Sequence, residues 1–313
     1  MDLIDTNEIR RMLMHRHISA DTITFYRKNG GKADYLLDGG RILRLSKAPL
    51  NEQIKLRNVE SVMRAPSIHS TGSFSCEDQI LYFIIIDYLQ GTDLWQIAPT
   101  LTDAQKIAIG AEIAAFLNEL HQITDEMYDI GHYIPTIPRY KGSWKNGHSA
   151  YADILARELS GMELTAKSRL AVEKAYDYIK TNLDALNEQS GSRLLHNDFH
   201  PKNIIIDDEG NLSGIIDWEC SQFGEADFEL TNFFEWCVYP PDSGRQLDVM
   251  LRVIIENLNM PLSGDRLAKR MTIYQLEHEL NQLIWNGSGQ EAERMFRLDG
   301  WLNGHVASLI EKW

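Results

Sequence analysis

Three oxygen-bearing side chains in one stretch of the sequence have types and spacings suited to chemistry. Asp198 and Asn203 stand five positions apart, and Asp217 follows further along the chain. A carboxylate can orient a hydroxyl and accept its proton, and amide and carboxylate oxygens are ligands that magnesium accepts. Phosphoryl transfer needs little from a protein beyond such positioning and charge neutralisation. These residues therefore predict transfer of a phosphoryl group from a magnesium-bound nucleoside triphosphate to a hydroxyl.

The segment between Asn203 and Asp217 predicts how the two metal ligands come together. Two apolar runs, Ile204–Ile206 and Leu212–Ile216, flank the turn residues 208–211, a pattern typical of a β-hairpin. Such a hairpin would fold Asp217 back beside Asn203. We therefore expect Asn203 and Asp217 to hold magnesium, and Asp198 to act as the catalytic residue.

Two sequence patterns around these residues resemble a known family. The first is His196-x-Asp198-x-His200-Pro201-x-Asn203 followed by Ile216-Asp217-Trp218-Glu219, and it resembles the aminoglycoside phosphotransferase and choline kinase superfamily. Members of that superfamily are small-molecule relatives of the protein kinases. The second, Gly224–Leu230, resembles the family's Gly-Asp-Pro-x-x-Asp-Leu stretch, but Glu225, Ala226 and Glu229 replace its Asp, Pro and second Asp.

The resemblance and the sequence pattern predict the same fold class. We expect a two-lobed, protein-kinase-like α+β fold, with a small β-rich lobe over residues 1–90 and a larger, mainly helical lobe over residues 91–313. Predicted strands in the first lobe are Ile23–Arg27, Tyr35–Leu37, Ile42–Leu45 and Ile80–Ile86. In the second lobe, Thr102 and Gln105 form a predicted capping box before a helix, and Gly131–Gly147 reads as a long loop.

The resemblance also implies nucleotide-binding positions in the first lobe. It places a phosphate-covering turn at Gly30, Gly31 and Lys32, although two glycines in a hairpin are equally typical of an ordinary turn. A hinge that begins at Asp87 and includes Leu89 would contact the nucleotide base. Hinges of this kind read the base through backbone groups, so both ATP and GTP stay open as the cofactor.

A strand position that carries a phosphate-binding lysine in kinases is Arg44 in this chain. A guanidinium can also bind phosphate, and can do so through two hydrogen bonds at once. The resemblance implies a glutamate on the following helix, predicted over Asn51–Met63, that pairs with this cation. Glu60 is the preferred candidate because it lies late in that helix, and Glu52 is the alternative.

Composition restricts the classes of partner and compartment. A net charge of −14 disfavours nucleic acid and anionic membranes as partners and suits a cationic small molecule, although it also suits solubility alone. The three cysteines are odd in number and lack CxxC spacing, so a reducing, cytoplasmic setting is expected. No signal core precedes residue 17, and the run Ile80–Ile86 is too short to span a membrane. The oligomeric state is left open.

The acceptor is expected beside acidic side chains of the second lobe. Glu225, Glu235 and Glu277 are the candidates, because an acidic pocket would hold an aminoglycoside-like amino sugar by charge-assisted hydrogen bonds. In an alternative interpretation Glu277 lies with Glu279 on the solvated face of a helix. Choline-like alcohols, other sugars and macrolides are further acceptor candidates.

Three other interpretations of the sequence compete with a small-molecule kinase. A catalytically idle kinase-like fold would have no physical need for Asp198, Asn203 and Asp217 together. A protein kinase would carry a D-F-G triplet where this chain has Asp217-Trp218-Glu219. A transition-metal site at His196, Asp198 and His200 lacks further ligands, and we expect His196 to be structural.

Overall fold

An antiparallel sheet accounts for most of the N-terminal part of the chain. The structure is a computed structural model that describes residues 4–29, 31–76, 79–240, 246–260 and 264–312. Within these residues the sheet has the strand order β1-β2-β3-β5-β4. Its strands are β1 (Ile23–Asn29), β2 (Lys32–Leu37), β3 (Arg41–Ser46), β4 (Ile68–Cys76) and β5 (Gln79–Asp87). Four of these strands confirm predicted strands, whereas β4, which is rich in serine, was not predicted.

An amphipathic helix, α1 (Thr6–His15), covers one face of this sheet. The helix begins after Asp5, whose carboxylate accepts a hydrogen bond from the backbone N–H of Asn7. Ile9, Met12 and Leu13 recur at helical spacing and pack with apolar side chains from β2, β3 and β5 in one buried cluster. The sequence carries this periodic signal, although no helix was predicted there.

The helix after β3 is shorter than the sequence pattern predicts. The predicted helix ran from Asn51 to Met63, but α2 spans only Glu52–Arg57. Beyond it, backbone N–H groups bond to the carbonyl three residues back, which marks turns. Ile54 and Met63 are 58% and 69% exposed, whereas Val59 and Val62 are buried.

A small sheet contains the predicted hairpin and belongs to the first of two compact units. The hairpin strands are β10 (Ile204–Ile206) and β11 (Leu212–Ile215), and β10 also pairs with β6 (Thr92–Asp93). The first unit comprises Met1–Leu94 and Lys202–Glu219, and the second comprises Trp95–Pro201 and Cys220–Trp313. The expected boundary at residue 90 therefore omitted the hairpin, which joins the first unit from a distant part of the sequence.

The second unit is mainly helical. It confirms the capping box at Thr102 and Gln105, which begins a helix whose apolar face is buried. The predicted loop over Gly131–Gly147 is partly wrong, because it contains a strand and the start of a helix capped by Ser143. The helices that follow α2 are α3 (Leu94–Ile97), α4 (Asp103–Leu120), α5 (Trp144–Ser160), α6 (Ala166–Asn182), α7 (Thr231–Val238), α8 (Asp248–Asn257), α9 (Gly264–Asn286), α10 (Glu291–Leu302) and α11 (His305–Ile310).

Short elements complete the second unit. The remaining strands are β7 (Tyr128–Ile130), β8 (Ile137–Tyr140), β9 (Arg193–Leu195) and β12 (Gln222–Gly224), paired as β7-β8 and β9-β12. Short 3-10 helices cover Ala98–Thr100, Leu183–Leu186, Pro201–Asn203, Trp218–Cys220, Ala226–Leu230 and Gly287–Gln290. None of the helices in the described ranges combines the length and the apolarity needed to cross a membrane. A small antiparallel sheet unit and a larger helical unit confirm the predicted α+β class.

Candidate active site

Arg44 lies at the centre of a buried charge cluster in the first unit. Strand pairing sets it directly opposite Asp34 of β2. Its Nε and Nη2 atoms donate to the two carboxylate oxygens of Asp34 at 2.9 and 3.0 Å, and Nη1 donates to Glu52. All three side chains are buried. Buried charges need such partners because desolvation otherwise costs several kcal/mol per ion.

The predicted pairing of Arg44 with Glu60 is wrong. Helix α2 ends at Arg57, so Glu60 lies in the turns that follow it and is exposed. Glu52, in the first helical turn, is buried and reaches the guanidinium instead. Spacing along an assumed longer helix cannot reveal this choice, because it depends on where the helix ends.

The charges around Arg44 keep it protonated. Burial alone would lower the pKa of the guanidinium, but the carboxylates of Asp34, Glu52 and Asp217 outweigh burial and raise it. Burial alone would raise the pKa of Asp34, whereas hydrogen bonds and charges from Arg44 and Arg27 outweigh that effect and lower it. Arg44 and Asp34 are therefore both ionised at neutral pH. The carboxylate of Asp217 lies close enough to contribute to the raised pKa of Arg44.

The hairpin places the two predicted metal ligands side by side, as expected. The backbone N–H of Ile216 donates to the carbonyl of Asn203 at 2.9 Å, so Asp217 is the residue next to this pair. Asp217 adopts a left-handed backbone conformation, with φ of 70°, which turns the chain sharply after β11. One amide and one carboxylate oxygen donor at a strand end form a donor set that fits magnesium, which also takes oxygens from water and phosphate.

The phosphate-covering turn is only partly described. Gly30 lies outside the described residues. Gly31 has φ of 83°, a conformation in which glycine has no steric penalty. The ammonium of Lys32 pairs with the carboxylate of Glu219. Together with Arg27 and the Arg44 cluster, Lys32 and Glu219 line one small pocket.

The predicted hinge residues have structural partners. The carboxylate of Asp87 accepts a hydrogen bond from the backbone N–H of Ser67 at 2.9 Å and pairs with His69 at 2.6 Å. Leu89 packs against Gly214 of β11, where an added Cβ would lie 2.6 Å from the leucine side chain. The Asp87 and Leu89 side chains thus hold this segment against its neighbours in the first unit.

In the second unit, Asp198 stands in a loop with several polar contacts. Its backbone N–H donates to Nδ1 of His196, and Asn232 donates to its carboxylate at 3.4 Å. Nε2 of His200 lies 3.5 Å from the same carboxylate, and the His200 ring stacks on Trp236 with centroids 5.1 Å apart. These contacts restrict the rotation of the Asp198 side chain, as a proton acceptor requires.

Glu229 holds the backbone that precedes Asp198. Its fully buried carboxylate accepts hydrogen bonds from the N–H groups of His196 and Asn197 at 2.7 and 2.9 Å. Asn197 has φ of 63°, an unusual conformation that these bonds stabilise. His196 is buried, and its Nδ1 accepts the hydrogen bond from the backbone N–H of Asp198, which fits its structural interpretation. Glu229 was not predicted as a site residue, although its place in the family-like stretch Gly224–Leu230 was a usable signal.

The predicted acceptor-binding roles of Glu225 and Glu277 are wrong. Glu225 is 0% exposed and accepts hydrogen bonds from the backbone N–H groups of residues 189–191. Glu277 is also 0% exposed and pairs with Nδ1 of His148 at 2.6 Å. The alternative that placed Glu277 and Glu279 on a solvated face is wrong as well, because Glu279 is buried against Arg294. Sequence spacing could not reveal that α9 is enclosed on nearly every side.

Glu235 differs from the other two acidic candidates because its side chain is partly exposed. It pairs with Arg297 and lies 3.3 Å from Nε2 of His278. Its negative charge is therefore already balanced inside the second unit. Within the described ranges, no group of three or more His, Cys, Asp and Glu side chains is placed to hold a metal ion.

A comparison with family models decides the classification. The model described as the phosphotransferase enzyme family matches residues 19–254, which is more than half of the chain. The chain belongs to the phosphotransferase enzyme family. This membership confirms the resemblance inferred from the Asp198 and Asp217 motifs, and it makes the protein a phosphotransferase with an alcohol group as acceptor.

Comparisons with solved structures agree with the fold of this phosphotransferase. A thermostable variant of aminoglycoside phosphotransferase APH(4)-Ia, in complex with AMP-PNP and hygromycin B, has a TM-score of 0.69 at 18% identity, over 95% of this chain and 98% of that one. ADP-bound APH(2'')-Ib has a TM-score of 0.62 at 16% identity, over 98% and 99%. The streptomycin-ATP-APH(2'')-IIa complex has a TM-score of 0.64 at 17% identity, over 99% of both chains. At these identities the likeness shows a shared fold. No curated protein matches the chain.

Proposed function

We propose that this phosphotransferase transfers the γ-phosphoryl group of ATP or GTP, with magnesium, to a hydroxyl of a cationic small molecule, in particular an aminoglycoside-like amino sugar. The observation that carries the proposal is the hydrogen bond from Ile216 to Asn203, which sets Asn203 beside Asp217. This pair offers the two protein oxygens typical of a magnesium site that serves a triphosphate.

Asp198 is proposed as the group that orients the acceptor hydroxyl and accepts its proton. Support comes from the contacts that restrain it, namely Asn232 at its carboxylate and Glu229 at the preceding backbone. A carboxylate held in one orientation lowers the entropic cost of the reactive geometry. Asn203 and Asp217 would hold magnesium, which neutralises phosphate charge when it is bound.

Nucleotide contacts are proposed for the first unit. Arg44 would donate to phosphate oxygens, steadied by Glu52, and a left-handed Gly31 would allow a close approach of the backbone, with Gly30 and Lys32 completing that turn. Three of the five N–H donors of Arg44 are engaged with Asp34 and Glu52, so two are left for an anion. The backbone of the hinge near Asp87 and Leu89 would contact the base.

The acceptor class rests on charge and on the printed ligands of similar proteins. Hygromycin B, gentamicin and streptomycin are bound by the aminoglycoside phosphotransferases that share this fold. A net charge of −14 favours a polycationic acceptor. Of the three predicted acidic contacts only Glu235 is partly exposed, so it is the one retained here as an acceptor contact. A resistance role and a cytoplasmic location would follow from such an activity.

A panel of acceptors with both nucleotides tests this function. The purified protein is incubated with magnesium and ATP or GTP, and with aminoglycosides, choline, neutral sugars or macrolides, and phosphorylated product is detected by mass spectrometry. We expect a mass increase of one phosphate on an aminoglycoside. Product from choline, a sugar or a macrolide alone would reassign the acceptor, and nucleotide binding without any product would favour an idle binding fold.

A further inference from the structure

One carboxylate in the first unit lies between two guanidinium groups. Asp34 accepts hydrogen bonds from Nε and Nη2 of Arg44 at 2.9 and 3.0 Å, and its Oδ2 also accepts one from Nε of Arg27 at 2.9 Å. Asp34 is 4% exposed. Two converging guanidinium groups form the kind of arrangement that binds phosphate through several N–H donors at once.

The edge of Arg44 that Asp34 occupies is the one best suited to an external anion. The Nε and Nη2 donors point in parallel and can grip two oxygens of one group. Glu52 takes a donor from Nη1, so the guanidinium already faces two carboxylates. An arriving phosphate must either share the remaining donors or displace a carboxylate.

The surrounding charges show why Asp34 is the carboxylate that matters. Lys32 and Glu219 pair with each other, while Asp34 contacts both Arg27 and Arg44. The Arg27 side chain is 41% exposed, so one side of this arrangement is open to solvent. Removal of the Asp34 charge would therefore release neighbouring N–H donors of both Arg27 and Arg44.

We propose that Asp34 occupies a phosphate-binding position of its own protein and competes with the triphosphate for Arg44 and Arg27. Asp34 is thereby a residue that determines affinity for polyphosphate. The expected change in nucleotide affinity rests on the proposed function. The expected change in affinity for an inorganic polyphosphate does not.

The test compares Asp34→Asn with the unsubstituted parent protein in binding titrations. The probes are inorganic tripolyphosphate and ATP, each in the presence of a chelator so that no divalent cation contributes. Asp34→Asn should bind tripolyphosphate about tenfold tighter, because a released charge-assisted hydrogen bond is worth about that factor. Asp21→Asn makes the same charge change at an exposed residue of the first unit. Its affinity for tripolyphosphate should stay within about twofold of that of the parent, because exposed charges are screened.

A second substitution tests whether the effect acts through the guanidinium. Adding Arg44→Gln to Asp34→Asn should abolish most of the gain in affinity for tripolyphosphate. Unchanged or weaker tripolyphosphate affinity in Asp34→Asn would overturn the inference and assign Asp34 to positioning of Arg44. Absence of tripolyphosphate binding in every protein would overturn it too.

The same titrations separate this inference from the proposed function. If tripolyphosphate shows the expected pattern but neither ATP nor GTP binds with or without magnesium, the competition stands and the nucleotide function fails. Thermal melting of each variant checks folding. Should Asp34→Asn not fold, Asp34→Thr replaces it, because threonine is favoured in strands and also lacks the charge, and it must show the same gain.

Discussion

Two buried arginines, one in each unit, have nearly the same set of partners. Arg44 pairs with Asp34 through two hydrogen bonds and with Glu52. Arg270 pairs with Asp227 through two hydrogen bonds of 2.6 Å and lies 3.5 Å from Glu225. An Asp–Arg–Glu arrangement by itself therefore does not distinguish a ligand site from a structural one.

The difference lies in what else surrounds each guanidinium. The Nη1 atom of Arg270 also donates to the carbonyls of Ala185 and Asn187, so its donors are spent inside the protein and it is fully buried. Arg44 instead faces further charged side chains that line a pocket, including Lys32 and Asp217. Unused donors beside further charges that line a pocket, and not burial or pairing, are what indicate a binding role.

The first way to break this comparison is Arg270→Met. Its loss leaves Asp227 and Glu225 buried without their cation, and the free energy of unfolding should fall by about 3–5 kcal/mol. Urea unfolding measures this change. Arg266→Met, on the same helix but bonded to the backbone carbonyls of Ala185 and Asn187, should lower the free energy of unfolding clearly less. An equal decrease in the free energy of unfolding for the two variants would contradict a stabilising role of the Arg270 pairing with Asp227 and Glu225.

Arg44→Met should instead act mainly on the ligand. We expect nucleotide affinity to fall about hundredfold, because charge-assisted hydrogen bonds to phosphate are lost. Isothermal titration with MgATP measures it. Arg41→Met removes a partly exposed arginine of the same strand that pairs with Asp38, and it should leave affinity within about twofold, as expected for a screened surface charge. Unaltered affinity in Arg44→Met would place Arg44 with Arg270 as a structural residue.

Asp217→Asn should weaken the magnesium dependence of nucleotide binding. The amide keeps the shape of the side chain but lacks the charge, so the gain in affinity on adding magnesium should shrink about tenfold. Thermal shift with ATP, with and without magnesium, reports this gain. Asp207→Asn, in the exposed turn of the same hairpin, is the matched control. A full magnesium effect in Asp217→Asn would exclude Asp217 as a ligand.

The smallest expected effect concerns pH and the core of the second unit. Burial, together with the charges of His278 and His148, lowers the pKa of His132 well below its usual value. The unfolded chain binds this proton below a pKa of about 6.5, so lowering the pH through that value favours unfolding. Between about pH 7.5 and 5.5 the stability of the parent should fall by about 1 kcal/mol relative to His132→Gln.

Urea unfolding at several pH values measures this difference. His15→Gln, at an exposed position on α1, is the matched comparison. If the difference in free energy of unfolding between the parent and His132→Gln does not change with pH, then burial does not lower the pKa of His132 in the folded protein.

Local sequence signals predicted the parts of the site that depend on neighbours in the chain. The hairpin that brings Asp217 to Asn203 followed from apolar runs around a turn, and Arg44 was placed on its strand by the spacing of glycines and apolar residues. These predictions hold because hairpin pairing is set by short-range geometry.

Contacts that depend on the exact strand register, on where a helix ends or on the tertiary fold could not be predicted in the same way. Asp34 meets Arg44 only because of the register of β2 on β3, and Glu52 replaces Glu60 only because α2 ends early. Glu225 was predicted to contact the acceptor in an acidic pocket, yet it is buried and binds the backbone of residues 189–191. Burial of such a charge depends on the tertiary fold, which one sequence does not reveal.

The most direct test of the central claim uses Asp198→Asn in a single-turnover experiment with MgATP and the accepted alcohol. The amide cannot accept the hydroxyl proton, so the rate of phosphoryl transfer should fall by about 10²–10⁴-fold, while the dissociation constant for MgATP stays within about threefold. Transfer at close to the parent rate would contradict the role of Asp198.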